Sequence, residues 1–165
     1  MRIERAGTKD AVQVVQKVEQ LLTELGGKPY SLDWSGLVPV IQAAIGDGRY
    51  TVLVARDDDA EIVGVLTLGE VVAAYAGGRF GVIHELHVSP QCRSAGIGNS
   101  LLKEAKIICR QRGWVRLEVG APPYPKWSRT KDFYVRAGFA EIGPRLKWIA
   151  EQSAGADTEE RAAQP

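Results

Sequence analysis

The apolar positions of this chain change period several times, and each change predicts an element. Arg2 to Ala6 reads as a short strand. Thr8 can cap a helix start, after which Ala11, Val14, Val15, Val18, Leu21, Leu22 and Leu25 recur at helical spacing until Gly26-Gly27. Lys28 to Trp34 forms a loop with two aromatics, Tyr30 and Trp34. Asp33 or Ser35 can cap a second helix, with Pro39 in its first turn, Leu37, Val40, Ile41, Ala44 and Ile45 apolar, and Gly46-Asp47-Gly48 at its end. The period then shortens. Tyr50 to Arg56 and Glu61 to Val72 read as a hairpin around the acidic turn Asp57-Asp58-Asp59, and Phe80 to Val88 as a third strand after Gly77-Gly78, stopped by Pro90.

Helical spacing returns from Gly96 to Arg112, with Ile97, Leu101, Leu102, Ala105, Ile108 and Cys109 on one side and Gly113 as terminator. Trp114 to Val119 reads as a strand. A loop with three prolines, Tyr124 and Trp127 follows, and Thr130 caps a short helix to Ala137 with Gly138 just past its end. Phe139 to Ile142 and Leu146 to Ala150 read as two last strands. The order β-α-α-β-β-β-α-β-α-β-β predicts an α/β domain over residues 1–150, one mixed sheet with helices on both faces. From Glu151 to Pro165 the apolar content falls away, which predicts a disordered tail.

Composition narrows the classes. A length of 165 residues suits one domain with a core of its own. Lys and Arg number 21 against 20 Asp and Glu, a net charge of +1, so neither nucleic acid nor an acidic membrane surface is an expected partner. No apolar run approaches the ~18 residues that cross a bilayer. Arg2, Glu4 and Arg5 put charge where an export signal needs an apolar stretch, so a cytoplasmic location is expected. The two cysteines, Cys92 and Cys109, lie far from any CxxC spacing and complete no zinc pattern with the two histidines, so no metal is implied. Cys109 falls on an apolar helical face, and Cys92 in a loop.

The chemistry concentrates in Ile83-His84-Glu85-Leu86-His87-Val88-Ser89-Pro90-Gln91-Cys92, followed by Arg93-Ser94-Ala95-Gly96-Ile97-Gly98-Asn99. A strand ends at a proline, a turn of small residues follows, and an amphipathic helix begins. Such a turn suits an anion. Small residues let the backbone come close, the opening N–H groups have no internal partner, and the helix dipole favours negative charge. Arg93 can add a charge-assisted contact. A P-loop would need GxxxxGK[ST], and only half of a GxGxxG fingerprint is present. On period-2 alternation Ile83, Glu85 and His87 share one face of the strand and His84, Leu86 and Val88 the other.

With its flanks this segment resembles the acetyl-CoA signature of the GNAT superfamily of N-acetyltransferases, [R/Q]-x-x-G-x-[G/A], and Phe133-Tyr134-Val135-Arg136-Ala137-Gly138-Phe139 resembles the family's FYxxxGF segment. The resemblance covers about residues 1–150 and implies a mostly antiparallel mixed sheet. It implies that Arg93 to Asn99 hold the pyrophosphate of acetyl-CoA and that Leu86, His87 and Val88 run beside its pantetheine arm like an added strand. It implies Tyr134 as the acid that protonates the departing thiolate, since a phenol near pKa 10 can donate to a thiol near 8.5. Glu85 is then the base, acting through a water, with His87 and His84 as alternatives. Tyr30, Trp34, Tyr124 and Trp127 lie in loops that the implied fold sets around the acceptor mouth. The acceptor is a small-molecule or peptide amine, and a homodimer is expected. The sequence departs from the family where many members carry an asparagine after the penultimate core strand. Glu118-Val119-Gly120-Ala121-Pro122-Pro123 stands there, with Ser128 or Thr130 as replacements. The alternative is a non-catalytic acyl-CoA-binding or regulatory module on the same fold.

Overall fold

The structure, a computed structural model, describes residues 1–26, 33–122 and 126–143. Five strands form one mixed sheet in the order β1-β2-β3-β4-β5. They are β1 (Arg2–Arg5), β2 (Tyr50–Arg56), β3 (Ile62–Ala73), β4 (Gly78–Val88) and β5 (Leu117–Val119). The first four pair antiparallel, and β5 runs parallel to β4. The helices are α1 (Ala11–Gly26), α2 (Trp34–Gly46), α3 (Ile97–Gln111) and α4 (Ser128–Arg136).

Strand alternation divides the core into two layers. Leu53, Ala55, Leu66, Leu68 and Ile83 point to one side and pack on Ile97, Leu101, Leu102, Ala105 and Ile108 of α3. Val52, Val54 and Val65 point to the other side, where Val14 of α1 and Ile41 and Ile45 of α2 cover them. Helix α1 opens differently from the reading at Thr8. A 3₁₀ turn spans Thr8–Asp10, and the Asp10 carboxylate accepts from the Gly7 N–H at 2.8 Å and from Arg56 Nη2 at 2.8 Å. Asp33, one of the two predicted caps of α2, accepts from the Gly36 N–H at 3.0 Å. The strand predicted from Trp114 begins only at Leu117. The Trp114 N–H is bonded to the Cys109 carbonyl, and its indole is buried and donates to Glu70.

Two further expectations change. Phe139 to Gly143 is irregular rather than a strand, because the Phe139 N–H closes the end of α4 on the Tyr134 carbonyl at 3.0 Å and its ring packs on Tyr134. The predicted strand at Leu146 to Ala150 and the predicted tail from Glu151 lie outside the described residues.

The shared face of Ile83, Glu85 and His87 is also corrected. Thr67 stands opposite Glu85 but Leu68 stands opposite Ile83, so His84 is an extra residue in β4. This β-bulge resets the alternation. Ile83 enters the α3-side core with Leu86 and Val88, whereas Glu85 faces the α1–α2 side, where Tyr50 meets it.

Candidate functional site

The bulge sits where the sheet splits. Strand β5 pairs with β4 only along Gly81, Val82 and Ile83. Beyond Ile83 the outer edge of β4 has no strand beside it among the described residues. Ser89 bonds its N–H to Val63 of β3 at 2.9 Å, and Glu85 bonds its N–H to Thr67 Oγ1 at 3.1 Å. By alternation His87 also turns its main chain to β3, while Leu86 and Val88 turn theirs to the open edge. The Val88 carbonyl is taken there by Arg93 Nε at 2.9 Å, which leaves the Leu86 N–H and C=O and the Val88 N–H along that edge. Of the three predicted edge residues, Leu86 and Val88 offer main-chain groups and His87 does not.

The open edge leads into the start of α3. Ser94 and Gly96 adopt left-handed backbone, with φ of 64° and 81°. Only glycine does so without strain, which accounts for Gly96. The first helical bond runs from the Ser100 N–H to the Gly96 carbonyl at 3.0 Å, so the N–H groups of Ile97, Gly98 and Asn99 have no intrahelical partner. Ser94, Ala95, Gly96 and Asn99 are exposed. Arg93 is placed differently from the reading of a free phosphate ligand. Its Nη1 and Nη2 grip both oxygens of Glu24 at 2.7 and 2.6 Å, so its fork ties the end of α1 to the end of β4. Gly98 has a second reason to be small. A Cβ there would come within 3.2 Å of the Phe133 ring, so the two sequence motifs touch at this point.

Tyr134 lies on α4 in the α3-side core, edge-on to Phe133 and Phe139. Burial pushes its phenol up to about 12, so it stays protonated at neutral pH. Its hydroxyl makes no hydrogen bond with the described residues.

Glu85 is held from two sides. It accepts from the Tyr50 hydroxyl at 2.6 Å and from the Thr67 hydroxyl. Burial first, and then the Glu85 charge, push the Tyr50 phenol far above its ordinary value, so Tyr50 is always a donor here. His84 is exposed and stacks on Tyr50 with ring centres 5.9 Å apart. Glu85, His84 and Tyr50 are the sheet residues that line a cavity of ≈ 290 Å³ between the sheet, α1 and α2. His87 is elsewhere. Its side chain is 3% exposed, and neither ring nitrogen has a hydrogen-bond partner among the described residues. Burial first, then the Arg93 charge, lower its pKa to about 4, with Glu24 opposing and Lys17 adding slightly. A neutral ring of this kind has little pull on an ammonium proton at neutral pH.

Trp34 opens α2 and Trp127 caps α4 through its backbone, with the Lys126 ammonium 5.6 Å from its ring centre. Tyr30 and Tyr124 lie outside the described residues. Ser128 and Thr130, proposed in place of the family's asparagine, form the first turn of α4. Sequence reading missed Tyr50, Thr67 and Glu24. Their partners lie 35, 18 and 69 residues away, and no local pattern signals such pairs.

An Acetyltransferase (GNAT) domain model matches residues 48–141, more than half of the chain. The chain belongs to the GNAT acetyltransferase family. The GNAT match runs from the start of β2 through α4 and contains both glycine-rich and FYxxxGF segments. No curated protein matches the chain in sequence. Solved structures show the same fold. A predicted acetyltransferase with acetyl-CoA from Clostridium acetobutylicum superposes with a TM-score of 0.76 at 17% identity, over 90% of this chain and 95% of that one. An aminoglycoside acetyltransferase from an uncultured soil metagenomic sample, in complex with sisomicin, gives 0.72 at 20% identity, over 91% and 96%. An integron cassette protein from the mobile metagenome of Cole Harbour Salt Marsh gives 0.74 at 23% identity, over 90% of each chain.

Proposed function

We propose that this GNAT protein moves the acetyl group of acetyl-CoA directly to a primary amine. The observation that carries the reading is the open edge of β4 at Leu86 and Val88, which leads into the unpartnered N–H groups of α3, with Glu85 on one side of the sheet and buried Tyr134 on the other. The edge suits an extended amide-bearing arm laid down as an extra strand, and the helix start suits a pyrophosphate.

The residues divide the work by their chemistry. Main-chain N–H groups at Leu86 and Val88 orient the thioester and stabilise the charge gathering on its oxygen. The acceptor nitrogen forms the new C–N bond as the C–S bond breaks. Tyr134 gives its proton to the leaving sulfur and regains one from solvent. Glu85, fixed by Tyr50 and Thr67, receives the surplus amine proton through a water.

The test is release of free CoA coupled to acetylation of an amine. Tyr134→Phe keeps the ring packing and deletes the proton. Turnover should fall about 10²-fold with acetyl-CoA affinity nearly unchanged by calorimetry. Wild-type turnover in this variant, with chemistry shown to limit the rate, would reduce Tyr134 to a core residue.

A further inference from the structure

Resting on the transfer reading above, we infer that the acceptor is a small amine with one positive charge and an apolar body, its ammonium at Glu85 and its body between α1 and α2. Among the described residues the polar lining of the cavity beside Glu85 comes from the sheet alone, as Tyr50, His84 and Glu85. Val14, Val15 and Val18 of α1 and Leu37 and Ile41 of α2 line the rest, five aliphatic side chains without a hydrogen-bonding atom. Among the described residues Glu85 is the one acidic group in the lining, and two hydroxyls already fix its position. An ionised carboxylate offers about four lone-pair sites, so room remains for an ammonium.

Size points the same way. At ~30 Å³ for a water-sized group, ≈ 290 Å³ holds on the order of ten heavy atoms. Hexylamine fits this measure, and an aminoglycoside exceeds it severalfold. The chemistry of an aminoglycoside fits no better. Its several ammonium groups would find one carboxylate, and its hydroxyls would meet aliphatic walls, where unpaired polar groups are costly to bury. A peptide terminus would bring amide groups to the same walls.

The experiment follows CoA release by the full chain with propylamine, butylamine, pentylamine and hexylamine, and with spermidine and sisomicin. Saturation-transfer NMR measures hexylamine binding independently of turnover. KM should fall roughly fourfold per added methylene, the worth of a buried CH₂. Spermidine and sisomicin should show kcat/KM lower by about tenfold or more. Ile41 is half-buried, so Ile41→Ser is expected to fold. It should raise the hexylamine KM several-fold and weaken the NMR signal, with the acetyl-CoA KM unchanged. Leu37→Ser provides the same test from the preceding helical turn. A flat KM across the series, or a preference for sisomicin, would overturn the apolar acceptor while leaving acetyl transfer intact. No CoA release with any amine would overturn the transfer reading. The NMR signal would then decide the cavity alone, and its absence would overturn this inference too.

Discussion

At the scale of single residues the site is a set of groups whose protonation is fixed by what surrounds them. Tyr134 and Tyr50 are both buried phenols held above their ordinary range, but only Tyr50 has a carboxylate to donate to. Tyr134 is left with a proton and no partner for it among the described residues, a suitable state for an acid that meets a thiolate only during reaction. Glu85 is the opposite case, an acceptor with donors already in place. Glu85→Gln keeps its shape and removes its charge. If the carboxylate relays the amine proton, the loss in kcat/KM should be greatest at low pH, where most acceptor is protonated. It should shrink as rising pH frees the amine by itself. Rate profiles of the two enzymes across the acceptor's titration check this, and parallel profiles would assign proton removal to bulk water.

At the scale of elements, much was legible in the sequence. The existence and type of the four helices and five strands follow from apolar period, and Gly138 marks the end of α4 as read, with φ of 87°. The tight turn that opens α3 was legible at Gly96 because its reason is local, a left-handed backbone that suits glycine. The bulge at His84 was not legible. It is one extra residue of β4 against β3, a property of two paired strands, and it alone moves Ile83 off the face of Glu85. The grip of Arg93 on Glu24 was hidden for the same reason, because α1 and β4 meet only after folding. Gly98 lies between the two cases. The role towards a phosphate proposed for it would be local, whereas its closeness to Phe133 joins α3 to α4. The two roles separate by experiment. Gly96→Val imposes a β-branched residue on φ of 81°, where no side chain is near, and should weaken acetyl-CoA at least tenfold, about 1.4 kcal/mol. Gly98→Val should do so too, and both variants should melt lower, Gly96→Val from its own backbone strain and Gly98→Val by displacing Phe133. Adding Phe133→Leu should recover part of the melting temperature in Gly98→Val and none in Gly96→Val, and unchanged affinity by calorimetry in folded Gly96→Val would remove the cradle.

At the scale of the whole molecule, two features lie away from the chemistry. Strands β3 and β4 outrun β2, whose last partner is Gly69, so their far end projects as a ribbon carrying exposed Val71, Val72 and Tyr75. Exposed apolar side chains on such an arm are available for burial against another copy. Light scattering should give a dimer, and Val72→Lys with Tyr75→Lys should give a monomer. The other feature is His87. Its folded pKa of about 4 lies below the ordinary 6.5, so on the acid side the unfolded chain binds a proton that the folded chain refuses. Stability contributed by this residue is therefore intact above 6.5 and falls as pH drops towards 4. Between pH 7.5 and 5 the loss is about 2 kcal/mol, at ~1.4 kcal/mol per pH unit below 6.5. The shifted carboxylates act in a different window. Glu24, held down chiefly by Arg93, and Asp10, held down by Gly7 and Arg56 against its burial, start from ordinary values of 4.5 and 3.8, so their contributions are lost only below those values. Among the described groups with a shift, thermal melts from pH 7.5 to 5 therefore read chiefly His87. His87→Leu replaces an unpartnered buried ring by an apolar side chain, so it should flatten the slope in that window. An unchanged slope would mean that the ring takes up its proton in the folded chain, with Glu24 able to receive it.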